Sequence, residues 1–157
     1  MRIGIDVLGL GELDRLQTRP WFRRYTYATD ELTLADGFGR ERAREFLAGR
    51  FAAKEAVLKV LGTGCRGGLL PRHICVTRGA RSGPLVRLTG AAQRRAAEIG
   101  LSDLTVSIAH KAEYVVAVAL GHGAHETASR AGDAGGTART VLEEIALRES
   151  VRNGRSD

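Results

Sequence analysis

From about Glu41 to Leu61 the chain keeps one helical period without interruption. Phe46, Leu47, Phe51, Val57, Leu58 and Leu61 form an apolar stripe, and Gly62 ends the run. A helix of this length, in a chain of 157 residues, is the element that the rest must pack against. The size is that of one domain with its own core and no need of disulfide or metal staples.

The flanking segments supply the packing. Arg2 to Val7 alternates in the period of a strand, with Ile3, Ile5 and Val7 on the apolar side and Asp6 on the polar side. Glu12 to Gln17 predicts a short helix, Arg19 to Arg24 a basic aromatic turn, and Thr29 to Leu34 a second short helix. Beyond Gly62, strands are expected over Ile74 to Arg78 and Leu85 to Leu88, separated by a turn from Gly79 to Pro84. A helix over Ala91 to Ile99 and a hairpin of Leu104 to Ile108 with Tyr114 to Leu120 complete the series. This order predicts an α+β domain over residues 1–120, with an antiparallel sheet wrapped around the long central helix. Residues 121–157 read as a Gly/Ala-rich linker followed by a helix after Thr140.

Net charge is +6 and arginine supplies nearly all of it, which favours a polyanionic partner. Aromatics are 5% of residues and do not interleave with the arginines as base-stacking platforms would, so no nucleic-acid partner is expected. Cys65 and Cys75 have neither zinc nor redox spacing and read as reduced thiols of a cytoplasmic protein. No stretch has the length of a membrane span.

The chemistry concentrates in Phe51-Ala-Ala-Lys-Glu-Ala-Val-Leu-Lys59. Glu55 and Lys59 are an i,i+4 pair on one helix face, just before the turn Gly62-Thr63-Gly64. A carboxylate beside an ammonium at a glycine turn suits a divalent cation and a phosphate held together. On its own the pair reads first as a surface salt bridge. Two further segments weigh against that: Gly4-Ile5-Asp6-Val7, and Ser107-Ile108-Ala109-His110 followed by Glu113 to Ala119. Together, in this order, the three segments resemble the holo-acyl-carrier-protein synthase family of 4'-phosphopantetheinyl transferases, over about residues 3–120. Three departures stand out: Ala109, where the family usually has Ser or Thr before the histidine, a longer segment between Asp6 and Arg15, and a shortened turn near Ser82-Gly83-Pro84.

The resemblance implies transfer of 4'-phosphopantetheine from coenzyme A to a serine of an apo acyl carrier protein, with release of adenosine 3',5'-bisphosphate. It implies Mg²⁺ on Asp6 and Glu55, with Glu55 and Lys59 as the catalytic pair. Coenzyme A contacts are expected from Arg50, Lys54, Lys59, Gly62, Thr63, Gly64 and His110. An acidic acyl carrier protein would dock on Arg15, Arg19, Arg23 and Arg24 of the cationic segment around Trp21, and the family resemblance also implies a homotrimer with sites at subunit boundaries.

Three other readings compete. A non-catalytic basic module for an acidic protein or nucleic acid accounts for the charge but gives Asp6 and Glu55 no purpose. A nucleoside-triphosphate cradle at Gly62 to Gly68 lacks the G-K-[ST] ending and follows a helix instead of preceding one. A Ser107–His110 dyad fails because residues three apart on a strand face opposite ways.

Overall fold

The structure is a computed structural model that describes residues 1–79 and 83–123. Its elements are strand β1 (Arg2–Gly9), helices α1 (Asp14–Gln17), α2 (Pro20–Thr26), α3 (Thr29–Asp36) and α4 (Arg40–Leu61), then strands β2 (Ile74–Arg78) and β3 (Pro84–Leu88). Helix α5 (Gly90–Glu98) and strands β4 (Leu101–Lys111) and β5 (Tyr114–Gly123) follow. The expected α+β class and central helix are both present. The strands form a three-stranded antiparallel sheet in the order β1-β5-β4 and a separate two-stranded one of β2 and β3.

Helix α4 is enclosed on most sides. Leu47, Ala48, Ala52, Ala53, Ala56, Val57, Leu58, Val60 and Leu61 are all buried. The small alanines let the sheet lie close to the helix axis, while the leucines and valines fill the space around it. Leu8, Val115, Ala117 and Ala119 meet them from β1 and β5. Gly62 then ends the helix in the left-handed region at φ 75°, its N–H bonded to the Leu58 carbonyl at 3.0 Å.

Two expectations are corrected in the amino-terminal half. The segment expected to be a basic turn is helix α2. Pro20 sits at its start, where a missing N–H costs nothing, and Phe22 anchors it by packing on Tyr27 and Phe51. The alternation of β1 holds, but its inward side is the opposite of the expected one. Gly4 and Leu8 are buried against α4, whereas Ile3, Ile5 and Val7 are 58%, 50% and 60% exposed. Gly4 explains the reversal, since a Cβ there would overlap the Ala56 carbonyl oxygen and only glycine lets the strand cross the helix at that point.

The sheet also runs past the expected boundary at residue 120. In the β4–β5 register Leu101 pairs with Gly123. The expected linker beyond Gly123 and the helix after Thr140 lie outside the described residues. No helix among the described residues is long and apolar enough to cross a membrane.

Candidate active site

The crossing of β1 over α4 brings Asp6 to Lys59. Because Arg2, Gly4 and Asp6 share the face of β1 that meets the helix, the Asp6 carboxylate lands beside the last turns of α4. Lys59 Nζ lies 2.9 Å from Asp6 Oδ1 and also donates to the Ile5 carbonyl. The Asp6 side chain is 18% exposed and that of Lys59 51%. The carboxylate is thus confined, while the ammonium reaches it on a stem open to solvent.

Glu55 stands one turn before Lys59, half-buried. Burial first, then the negative charge of Asp6, holds its carboxyl above the ordinary carboxylate range, with Lys59 pulling the other way. Glu55 and Asp6, close enough for the charge of the second to act on the first, are a hard-oxygen pair of the kind that takes a divalent cation. Among the described residues no group of three or more His, Cys, Asp or Glu side chains could hold a metal ion. The donor set therefore fits an ion that completes its shell from water and substrate oxygens, as Mg²⁺ does, and does not fit an all-protein cage.

The turn after α4 contributes backbone and cations. Gly62 and Gly64 both have positive φ, and the Arg2 guanidinium lies 3.5 Å from where a Cβ on Gly62 would be. The Thr63 hydroxyl bonds the Gly64 carbonyl at 3.3 Å. Arg2 was not among the residues picked out from the sequence. The signal for it was present, because Arg2 shares the period-2 face of Asp6. On the outer lip, burial, then Cys65 and the Glu55 charge, push the Tyr25 phenol of α2 above its usual range. Helix α2 therefore borders the carboxylate site, with Trp21 exposed on it and Phe22 buried beneath.

Lys54 is a correction. It was expected to contact substrate phosphate, but its side chain is 0% exposed and forms a 2.7 Å ion pair with the equally buried Glu31. It also donates to the Pro71 and Ile74 carbonyls. The Glu31 oxygens further accept the Ala28 and Val76 N–H groups, at 2.8 and 2.9 Å. Every polar atom of the pair is occupied, so Lys54 ties α4 to α3 and β2 and does not face the site.

Arg50 and His110 lie elsewhere. At about 100° per residue, Arg50 points about 140° around the helix from Glu55. The His110 Nε2–H donates to the Glu45 carbonyl at 3.3 Å, and its ring would meet a Cβ on Gly49. Arg42, Arg50, Arg78 and His110 together line a groove of about 500 Å³ with Phe38 and Phe46. The Arg50 guanidinium stacks 4.2 Å from the Phe46 ring, and its buried Nε has no hydrogen-bond partner. Arg42 and Arg78 were not singled out from the sequence, because nothing in their local spacing separates them from the many other arginines. The chain thus carries two clusters on different faces of α4: a carboxylate–lysine cluster and a cationic groove.

The expected carrier-binding arginines are mostly at the surface. Arg15, Arg19 and Arg24 are exposed, whereas Arg23 is half-buried and paired with Asp36 at 2.9 Å.

Residues 2–119 match the family described as the 4'-phosphopantetheinyl transferase superfamily. The chain is 36% identical over 129 residues to a holo-[acyl-carrier-protein] synthase of Desulforudis audaxviator, a match covering 80% of this chain and 95% of that protein. Its structure is similar to that of the holo-[acyl-carrier-protein] synthase of Neisseria meningitidis, with a TM-score of 0.70 and 29% identity over 77% of this chain and 97% of that one. It is also similar to the Bacillus anthracis enzyme solved in complex with CoA (3',5'-ADP), with a TM-score of 0.66 and 28% identity over 78% of this chain and 96% of that one. The match runs through every element that carries the two clusters, from the strand of Asp6 to the hairpin of His110, and on that breadth the chain belongs to the 4'-phosphopantetheinyl transferase superfamily.

Proposed function

We propose that this protein transfers 4'-phosphopantetheine from coenzyme A to a serine hydroxyl of an apo acyl carrier protein, releasing adenosine 3',5'-bisphosphate, and that it does so with Mg²⁺. The observation that carries the reading is the convergence of Asp6, Glu55 and Lys59 at the glycine-ended terminus of α4, beside the exposed cationic helix α2. Such a transfer is a displacement at phosphorus, in which a protein mainly positions the reactants and neutralises charge on the phosphoryl oxygens.

Asp6 and Glu55 would hold Mg²⁺, and the bound ion supplies charge neutralisation on the diphosphate. Lys59 and Arg2 bring positive charge to the same end of the helix, Lys59 against the leaving phosphate and Arg2 above Gly62. The backbone of Gly62, Thr63 and Gly64 can approach a phosphate closely, because two of the three have no Cβ. Glu55, at the same end of the helix as the diphosphate, takes the serine proton. The carrier approaches across α1 and α2, where Arg15, Arg19 and Arg24 meet its acidic surface and Trp21 supplies an apolar anchor.

The groove of Arg42, Arg50, Arg78 and His110 suits the adenosine bisphosphate end of coenzyme A, whose phosphates its cationic side chains can neutralise. Since it lies across α4 from Glu55, one chain does not offer both halves to one molecule of coenzyme A. A homotrimer with sites at subunit boundaries resolves this, one protomer contributing the carboxylates and its neighbour the groove. The exposed outer face of the sheet is the surface for it: Ile3, Ile5 and Val7 on β1, continued by the register partners Leu120, Val118 and Val116 on β5. Cys65 and Cys75 are both free, which accords with a cytoplasmic enzyme.

The test is to measure adenosine 3',5'-bisphosphate release from coenzyme A with an apo carrier present. Release is expected only when carrier and Mg²⁺ are both supplied, and it should fall to near background in Asp6→Ala and Glu55→Ala. Equal release without carrier or without divalent metal would contradict the reading.

A further inference from the structure

Asp6 already has a cation. The Lys59 ammonium sits 2.9 Å from Asp6 Oδ1 and is steadied there by its second bond, to the Ile5 carbonyl. A divalent ion drawn to Asp6 would meet that ammonium at close range, and two like charges around one oxygen repel strongly where water is partly excluded. The two partners differ in freedom. Asp6 is fixed by the β1 crossing at Gly4, whereas Lys59 is half exposed on a flexible stem, so it is the lysine that can leave. The two carboxylates also leave most of a metal shell unfilled, and no third acidic, histidine or cysteine ligand joins them among the described residues. A diphosphate answers both needs at once: it gives the ammonium a new anion and the metal new oxygens.

We infer that Lys59 is a stand-in cation that occupies Asp6 until coenzyme A arrives, and that its change of partner from Asp6 to phosphate makes metal and coenzyme A bind cooperatively. The inference rests on the transferase reading above and adds to it an order of events inside the site. Coupling of this kind is reciprocal: each ligand must strengthen the other by the same factor. It also gives Lys59 a task before any chemistry, namely keeping a metal from settling on Asp6 alone.

The experiment uses the full-length protein with no carrier, so that nothing turns over. Mn²⁺ replaces Mg²⁺ as a hard-oxygen probe, with free Mn²⁺ read by electron paramagnetic resonance and coenzyme A binding read by calorimetry. In the wild type, saturating coenzyme A is expected to tighten Mn²⁺ binding about tenfold, within the usual range of coupling between sites. In Lys59→Met, Mn²⁺ without coenzyme A should bind several-fold more tightly than to the wild type, and the further gain from coenzyme A should shrink. In Asp6→Asn, which frees the lysine, coenzyme A without metal should bind more tightly than to the wild type. In the double variant Asp6→Asn with Lys59→Met that gain should vanish, whereas simple relief of repulsion between Asp6 and the diphosphate would leave it in place and overturn the exchange. Unchanged or weaker Mn²⁺ affinity in Lys59→Met, or unchanged metal-free coenzyme A affinity in Asp6→Asn, overturns the exchange while leaving the transferase reading in place. A wild type that binds coenzyme A neither alone nor with Mn²⁺ overturns both.

Discussion

Lys54 and Lys59 are the two lysines of one motif, and the fold gives them opposite tasks. From sequence both read as phosphate ligands, since each is a long cation beside Glu55. What separates them is the helix turn, about 140° between the two at about 100° per residue, together with a partner far away in the chain. Glu31 belongs to a short helix that the sequence does suggest, but nothing local shows that its carboxylate turns inward to receive both Lys54 and two backbone N–H groups. The two variants should therefore fail differently. Lys54→Met is expected to lower stability by about 3–5 kcal/mol, because it leaves the buried Glu31 charge without its ammonium. Chemical denaturation would measure this, and a fully stable Lys54→Met with weakened coenzyme A binding would return the residue to the site. Lys59→Ala is expected to fold normally and to lose about 3 kcal/mol of transition-state stabilisation, seen as a fall in kcat. A wild-type rate in that variant would remove Lys59 from the chemistry.

Among the elements, periodic ones were legible and their orientation was not. The long helix, both hairpin strands at the carboxyl end and α5 follow from spacing and glycine stops, because those signals are local. The inward face of β1 does not, because period 2 says only that alternate residues differ. Which set meets the helix is decided by Gly4 at the crossing with Ala56, a tertiary contact. Helix α2 was read as a turn because Pro20 and a run of arginines look like a break, although proline is well placed at a helix start and Phe22 supplies the packing. That helix, with α1 before it, also carries the partner prediction. Arg15→Glu with Arg24→Glu, both at exposed positions, should raise KM for the carrier and flatten its salt dependence while leaving KM for coenzyme A nearly unchanged. If both KM values rose together, the arginines would belong to the coenzyme A site and not to the docking face.

At the scale of the whole molecule, the proposed trimer draws on two separate features, the two clusters on different faces of α4 and the exposed apolar face of the sheet. The sequence held the residues of both clusters but could not show that α4 keeps them apart. Ile5→Glu places a charge in the middle of the apolar face and is expected to yield monomers by light scattering, with transferase activity lost as the shared site comes apart. Monomers with full activity would mean that a single chain completes the site. The central claim is tested most directly by weighing the carrier: an apo acyl carrier protein incubated with this protein, coenzyme A and Mg²⁺, then measured by intact-protein mass spectrometry. The account predicts a gain of one phosphopantetheine on one serine, absent with Asp6→Ala. An unchanged mass across several apo carriers, from a protein shown to bind coenzyme A, would contradict it.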